Sequence, residues 1–153
     1  MRVSDDDLRA FVYRSCVVLD QHDYAGYLAL CADEMRYQIT YHSPEIGRDV
    51  IVMNLDHAGL SALFESLPDH IQLPGELMRH ASVYGIVRKR NGTVAEATTS
   101  LVIIRTDPEG LSHVLAAGHY HDTVDVTRPR PLLTSRTLRL QTRDIGIGTE
   151  VPF

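Results

Sequence analysis

His80 and Tyr84 lie four residues apart in a β-rich run, a spacing that puts both side chains on one face of a strand. A hollow sheet closed by the first helix would then hold an imidazole base beside a phenol. Asp20, Tyr24, Tyr37 and Tyr41 are the polar partners available to it. One His, one Asp and several Tyr can run proton-transfer chemistry such as dehydration or isomerisation. The competing reading is a satisfied core histidine whose neighbour Arg79 forms an ion pair. His119 and His121, two apart on one strand face, offer either metal ligation or an acid–base pair, with Glu96 across the sheet as a third ligand. The favoured reading is hydrogen bonding at a strand end or subunit interface, since no second metal motif supports the site. Arg128, Arg130, Arg136, Arg139 and Arg143 form a cationic series suited to an anionic ligand or an acidic partner, on an edge strand or rim.

Stronger catalytic signatures are missing. The chain has no phosphate-binding Gly loop, no Ser nucleophile elbow and no His-Glu-x-x-His helix. Cys16 and Cys31 lack Cys-x-x-Cys spacing and read as buried free thiols in a reducing compartment, both on helices. The expectation is therefore no catalytic residue, metal or cofactor in this chain, with His80, Asp20, Tyr24 and Tyr41 the residues to suspect otherwise.

The elements that must position these groups fall into two halves. Ser4 before Asp5, Asp6 and Asp7 is a hydroxyl N-cap with carboxylates at the positive end of a helix dipole. Leu8, Phe11, Val12, Cys16 and Leu19 then recur at helical spacing, predicting a helix to about Asp20. Asp23 caps a second predicted helix over 24–31. Met35, Tyr37, Ile39 and Tyr41 alternate with Arg36, Gln38, Thr40 and His42 as one strand, 50–53 is a second short one, and 56–67 is a third helix ahead of a loop at 68–76. Four long β-rich runs follow, 77–90, 93–106, 111–126 and 132–142, and read as an antiparallel meander. The first two are joined by Asn91-Gly92, the strongest short-range hairpin signal. The fold class is α+β: a cone-like, strongly curved antiparallel sheet against about three N-terminal helices, in one domain over 1–153.

A two-residue turn sets Arg90 opposite Thr93 and brings His80 opposite Ile103. A four-residue loop at 107–110 places Val114 beside Ile103. One face then carries Met78, His80, Ser82, Tyr84, Leu101, Ile103, Val114, Ala116 and Tyr120. The other carries Ala81, Val83, Val87, Val102, Ile104, Leu115, Ala117, His119 and His121, unless a bulge flips part of the assignment. Two largely apolar faces and few helices predict that another subunit covers one of them.

At 153 residues, with 44% hydrophobic and 23% charged residues, the composition is that of an ordinary globular protein. A net charge of −5 argues against a general nucleic-acid binder. No apolar run reaches the roughly 20 residues of a membrane span. The acidic start lacks the apolar core of a secretory signal, so cytoplasm is the expected compartment.

Several segments carry a resemblance: Leu73-Pro74-Gly75, Met78-Arg79-His80-Ala81-Ser82-Val83, Ser100-Leu101-Val102-Ile103-Ile104-Arg105-Thr106, Ala117-Gly118-His119-Tyr120-His121-Asp122, and Leu132 to Leu140 with Arg136 and Arg139. Together they resemble the small (β) subunit of Rieske-type aromatic-ring-hydroxylating dioxygenases, over about residues 4–144. The resemblance implies a nuclear-transport-factor-2-like, cystatin-like fold and a non-catalytic structural role in aromatic compound catabolism. It also implies a homotrimer joined to three large α subunits as α3β3, with the Rieske [2Fe–2S] cluster and mononuclear iron in the α partner. The same fold serves stand-alone dehydratases, isomerases and cyclases, and a small-molecule binding module is a third reading.

Overall fold

The computed structural model describes residues 2–67, 74–144 and 153, so most of the loop predicted at 68–76, with Leu73 of the resemblance, lies outside the described residues. Helix α1 (Asp5–Asp20) begins as its sequence dictates. The Ser4 hydroxyl accepts from the Asp7 amide at 3.0 Å, and the Ser4 amide donates to the Asp7 carboxylate at 2.9 Å, a reciprocal capping box. Leu8, Phe11, Val12, Cys16, Val18 and Leu19 form its buried stripe.

Helix α2 (Tyr24–Ala29) is capped by Asp23, which accepts from the Gly26 amide at 2.9 Å. It stops two residues short of the predicted end, because the chain there is claimed by the sheet. The Leu133 amide donates to the Leu30 carbonyl at 2.8 Å, and Cys31 already pairs with Leu133. Cys31 thus opens strand β1 (Cys31–Ser43) instead of closing a helix. Strand β2 (Arg48–Asp56) follows, then α3 (His57–Ser66), capped by Asp56 through the Gly59 amide at 2.8 Å.

The predicted meander is β3 (Glu76–Lys89), β4 (Val94–Thr106), β5 (Ser112–Asp125) and β6 (Leu132–Leu140). All of these join one curved six-stranded sheet in the order β2-β1-β6-β5-β4-β3. Its pairs are antiparallel except β1 with β6, which run parallel, so the sheet is mixed where the sequence predicts an antiparallel one. Gly118 permits the close approach of β5 to β6, since a Cβ there would stand 2.3 Å from the Arg139 carbonyl oxygen.

Register decides which residues face inward. From the Asn91-Gly92 turn outward, β3 pairs with β4 as predicted: Lys89 with Val94, Val87 with Glu96, Gly85 with Thr98. Tyr84 is then a bulge, and beyond it Val83 pairs with Thr99 and His80 with Val102. That one-residue step reverses the first half of β3. Arg79, Ala81 and Val83 join Leu101 and Ile103 on the inner face, while Met78, His80 and Ser82 turn outward. The next connection is longer than predicted, Thr106 pairing with Ser112, and an irregularity places Val114 beside Ile104 and Ala116 beside Ile103. Ala116 and Tyr120 keep their predicted face; Val114 does not.

The three described helices pack on the inner face, where Tyr27 of α2 meets Phe64 of α3 edge-on at 5.9 Å. Helix α1 also fastens the outermost strand: Asp20 accepts from the Arg79 amide at 3.2 Å and the Tyr13 hydroxyl from the Val83 amide at 3.2 Å. On the outer face Met78, Tyr84, Val87, Val102 and Val114 are exposed, Tyr84 and Val114 by 62% and 61%. Interleaved with them are His119, His121, Thr98 and Arg139.

Candidate functional site

Strands β1, β6 and β5 place Tyr37, Arg136 and Asp122 side by side in one inward-facing row. Arg136 donates from Nε to Asp122 Oδ1 at 2.8 Å and from Nη2 to Oδ2 at 2.9 Å, with both side chains wholly buried. Its guanidinium carbon lies 3.9 Å above the centre of the Tyr120 ring, a cation–π contact shielded from bulk solvent. Burial opposes the Arg136 charge, but the Asp122 carboxylate, Tyr27 and Tyr120 together outweigh it and hold the guanidinium protonated. Burial also drives the hydroxyls of Tyr27, Tyr37 and Tyr120 well above the ordinary phenol range and pushes the Cys31 thiol up to about 11. The phenols and the thiol therefore stay neutral near pH 7, and the row is an ion pair ringed by neutral hydroxyls. Tyr27, Met35, Tyr37, Tyr120, Arg136 and Phe153 occupy the space beneath the helices, and the Tyr120 hydroxyl donates to the Phe153 carbonyl.

The proposed acid–base set does not assemble. His80 is exposed on the outer face, across the sheet from the interior, because the Tyr84 bulge turns it there. It is therefore no core histidine either. Asp20 is committed to Arg79, whose Nη1 donates to it at 2.6 Å with the arginine side chain 1% exposed. Tyr24 stacks on Phe64 at 4.6 Å, and Tyr41 is half-buried at the end of the core.

His119 and His121 do share the outer face, ring centres 6.5 Å apart, with Tyr84 edge-on to His119 at 6.1 Å. Glu96 pairs with Lys89 at 3.0 Å and lies opposite Thr123, not His121. Among the described residues no three His, Cys, Asp or Glu side chains come together as a metal site. The arginine series is dispersed rather than gathered on a rim, because β6 is an internal strand. Arg136 is in the core, Arg139 meets Asp49 at 3.3 Å, Arg143 meets Glu45 at 3.1 Å, and Arg128 lies 3.9 Å from Asp125.

The SnoaL-like domain family matches residues 4–136. The chain belongs to that family. Among its relatives, this SnoaL-like protein is 31% identical to the hydroxylase β subunit of methanesulfonate monooxygenase from Methylosulfonomonas methylovora, across 99% of this chain and 88% of that subunit. It is 28% identical to the β subunit of 2-aminobenzenesulfonate 2,3-dioxygenase from an Alcaligenes species, across 94% of this chain and 95% of that one. The SnoaL-like fold superimposes with a TM-score of 0.81 on a Novosphingobium aromaticivorans structure described as the β subunit of an aromatic-ring-hydroxylating dioxygenase, at 21% identity over 95% and 93% of the two chains. The relatives are thus oxygenase β subunits, as the sequence resemblance implies.

The Asp122–Arg136 pair is the feature of this SnoaL-like chain that sequence reasoning missed. Its signal was the last hairpin, in which β6 folds back on β5 and a register shift between Thr123 and Val124 brings the two residues opposite each other.

Proposed function

We propose that this chain is the non-catalytic β subunit of a Rieske-type ring-hydroxylating dioxygenase. In this reading it associates as a homotrimer and holds three large α subunits in register as α3β3. The α partner carries the [2Fe–2S] cluster and the mononuclear iron. Near end-to-end alignment with two oxygenase β subunits is the observation that carries the reading. A side-chain-filled interior supports it, and so does an outer face on which Met78, Tyr84, Val87 and Val114 are about half exposed or more. Because both relatives are named for sulfonates, a sulfonated compound is the proposed substrate class of the assembled enzyme. The exposed position of His80 gives no support to a stand-alone dehydratase or isomerase.

Co-purification from the native host tests this. The expected result is an iron-containing large subunit recovered with the chain, a native mass corresponding to α3β3, and no turnover by the chain alone. Recovery of a lone monomer that converts substrate unaided would overturn the proposal.

A further inference from the structure

Arg136 commits Nε and Nη2 to Asp122, and neither its Nη1 nor the hydroxyls of Tyr27 and Tyr37 makes a well-formed hydrogen bond to any of the described residues. All three side chains are wholly buried. Tyr37 is the direct ladder neighbour of Arg136, and Tyr27 descends on the same place from α2, near enough that Arg136 acts electrostatically on both phenols. Three adjacent buried polar atoms left unpaired are rare in native proteins, where such groups bond to protein or to ordered water. We infer that Tyr27 Oη, Tyr37 Oη and Arg136 Nη1 converge on one enclosed water molecule that ties α2, β1 and β6 together.

The chemistry of the three groups selects the ligand. Arg136 Nη1 can only donate, so the occupant must accept, which excludes a cation. Asp122 already neutralises Arg136, so an anion would add an uncompensated buried charge. A neutral molecule that accepts from Nη1 and from one phenol, and donates to the other phenol oxygen, meets every requirement. Water does so with three hydrogen bonds, the number typical of buried waters.

A crystal structure of the full chain, at a resolution that places solvent, tests the inference directly. Density for one water within about 3.2 Å of all three atoms is expected. The inference fails if the three atoms bond directly to one another, or if the density belongs to a larger molecule or to a chloride shown by anomalous scattering. Thermal unfolding of Tyr27→Phe, Tyr37→Phe and the double variant is an independent measure. A shared water predicts that the double variant loses no more Tm than the worse single variant; losses that simply add would overturn it.

Discussion

Removing the Asp122 carboxylate should be the most damaging single change available in this fold. In Asp122→Ala the guanidinium of Arg136 keeps its charge and loses both hydrogen bonds, at 2.8 and 2.9 Å, in a place where neither partner has any solvent exposure. Breaking such a buried pair from one side costs about 3–5 kcal/mol, because the orphaned ion pays its desolvation without compensation. The Tyr120 ring beneath the guanidinium offsets only a fraction, since a desolvated cation–π contact contributes about 2 kcal/mol and is already present in the parent. Set against a total stability of about 5–15 kcal/mol, the loss leaves a marginal protein. At about 2–4 °C per kcal/mol for a chain of this size, Tm should fall by roughly 6–20 °C. Urea unfolding followed by circular dichroism measures the difference. The double replacement Asp122→Leu with Arg136→Met removes both charges, and should recover most or all of the loss. A single variant that loses less than about 1 kcal/mol would refute the argument, since that is the scale of a solvated surface pair.

Gly118→Ala should destabilise by about 1–3 kcal/mol in the same assay, because its Cβ would meet the Arg139 carbonyl and push β5 from β6. His80→Ala, altering an exposed outer-face residue, should change stability by no more than about 0.5 kcal/mol. Val114→Glu should leave the circular dichroism spectrum of the chain intact while reducing its oligomeric mass in size-exclusion chromatography, if the outer face is an assembly surface. In alkaline titration followed by phenolate absorbance, Tyr27, Tyr37 and Tyr120 should stay protonated well past the ordinary phenol range. Their folded-state pKa values lie above those of the unfolded chain. The stability they lend is therefore complete below about pH 10 and declines as pH rises past it, which unfolding midpoints at stepped alkaline pH will show.

What could be read from the chain was local. Ser4 and the acidic turn behind it mark α1 to the residue, and Asn91-Gly92 sets the β3–β4 register where it begins, because capping and turn geometry depend on neighbours in sequence. The reversal of β3 was less visible, although Gly85 beside the bulging Tyr84 is the kind of isolated strand glycine that marks such irregularities. Missing it moved His80 and Tyr84 into an imagined interior and left Arg79 outside. The parallel pairing of β1 with β6 had no local signature at all. It joins segments about a hundred residues apart, and it is what converts the predicted end of α2 into the start of a strand. Asp122 and Arg136 were hidden for a related reason: each looks like a surface charge until the last hairpin brings them face to face.

The way α1 grips β3 has a consequence for how copies of this protein can meet. A strand at the margin of a sheet ordinarily offers bare amides that recruit another strand and start unlimited ladder growth. Here Asp20 and Tyr13 occupy two of those amides, at Arg79 and Val83, so the middle of that margin is closed to another strand. On this side of the sheet, contact between molecules is diverted to broad surfaces, where size and symmetry can close an assembly instead of letting it run on as a fibre.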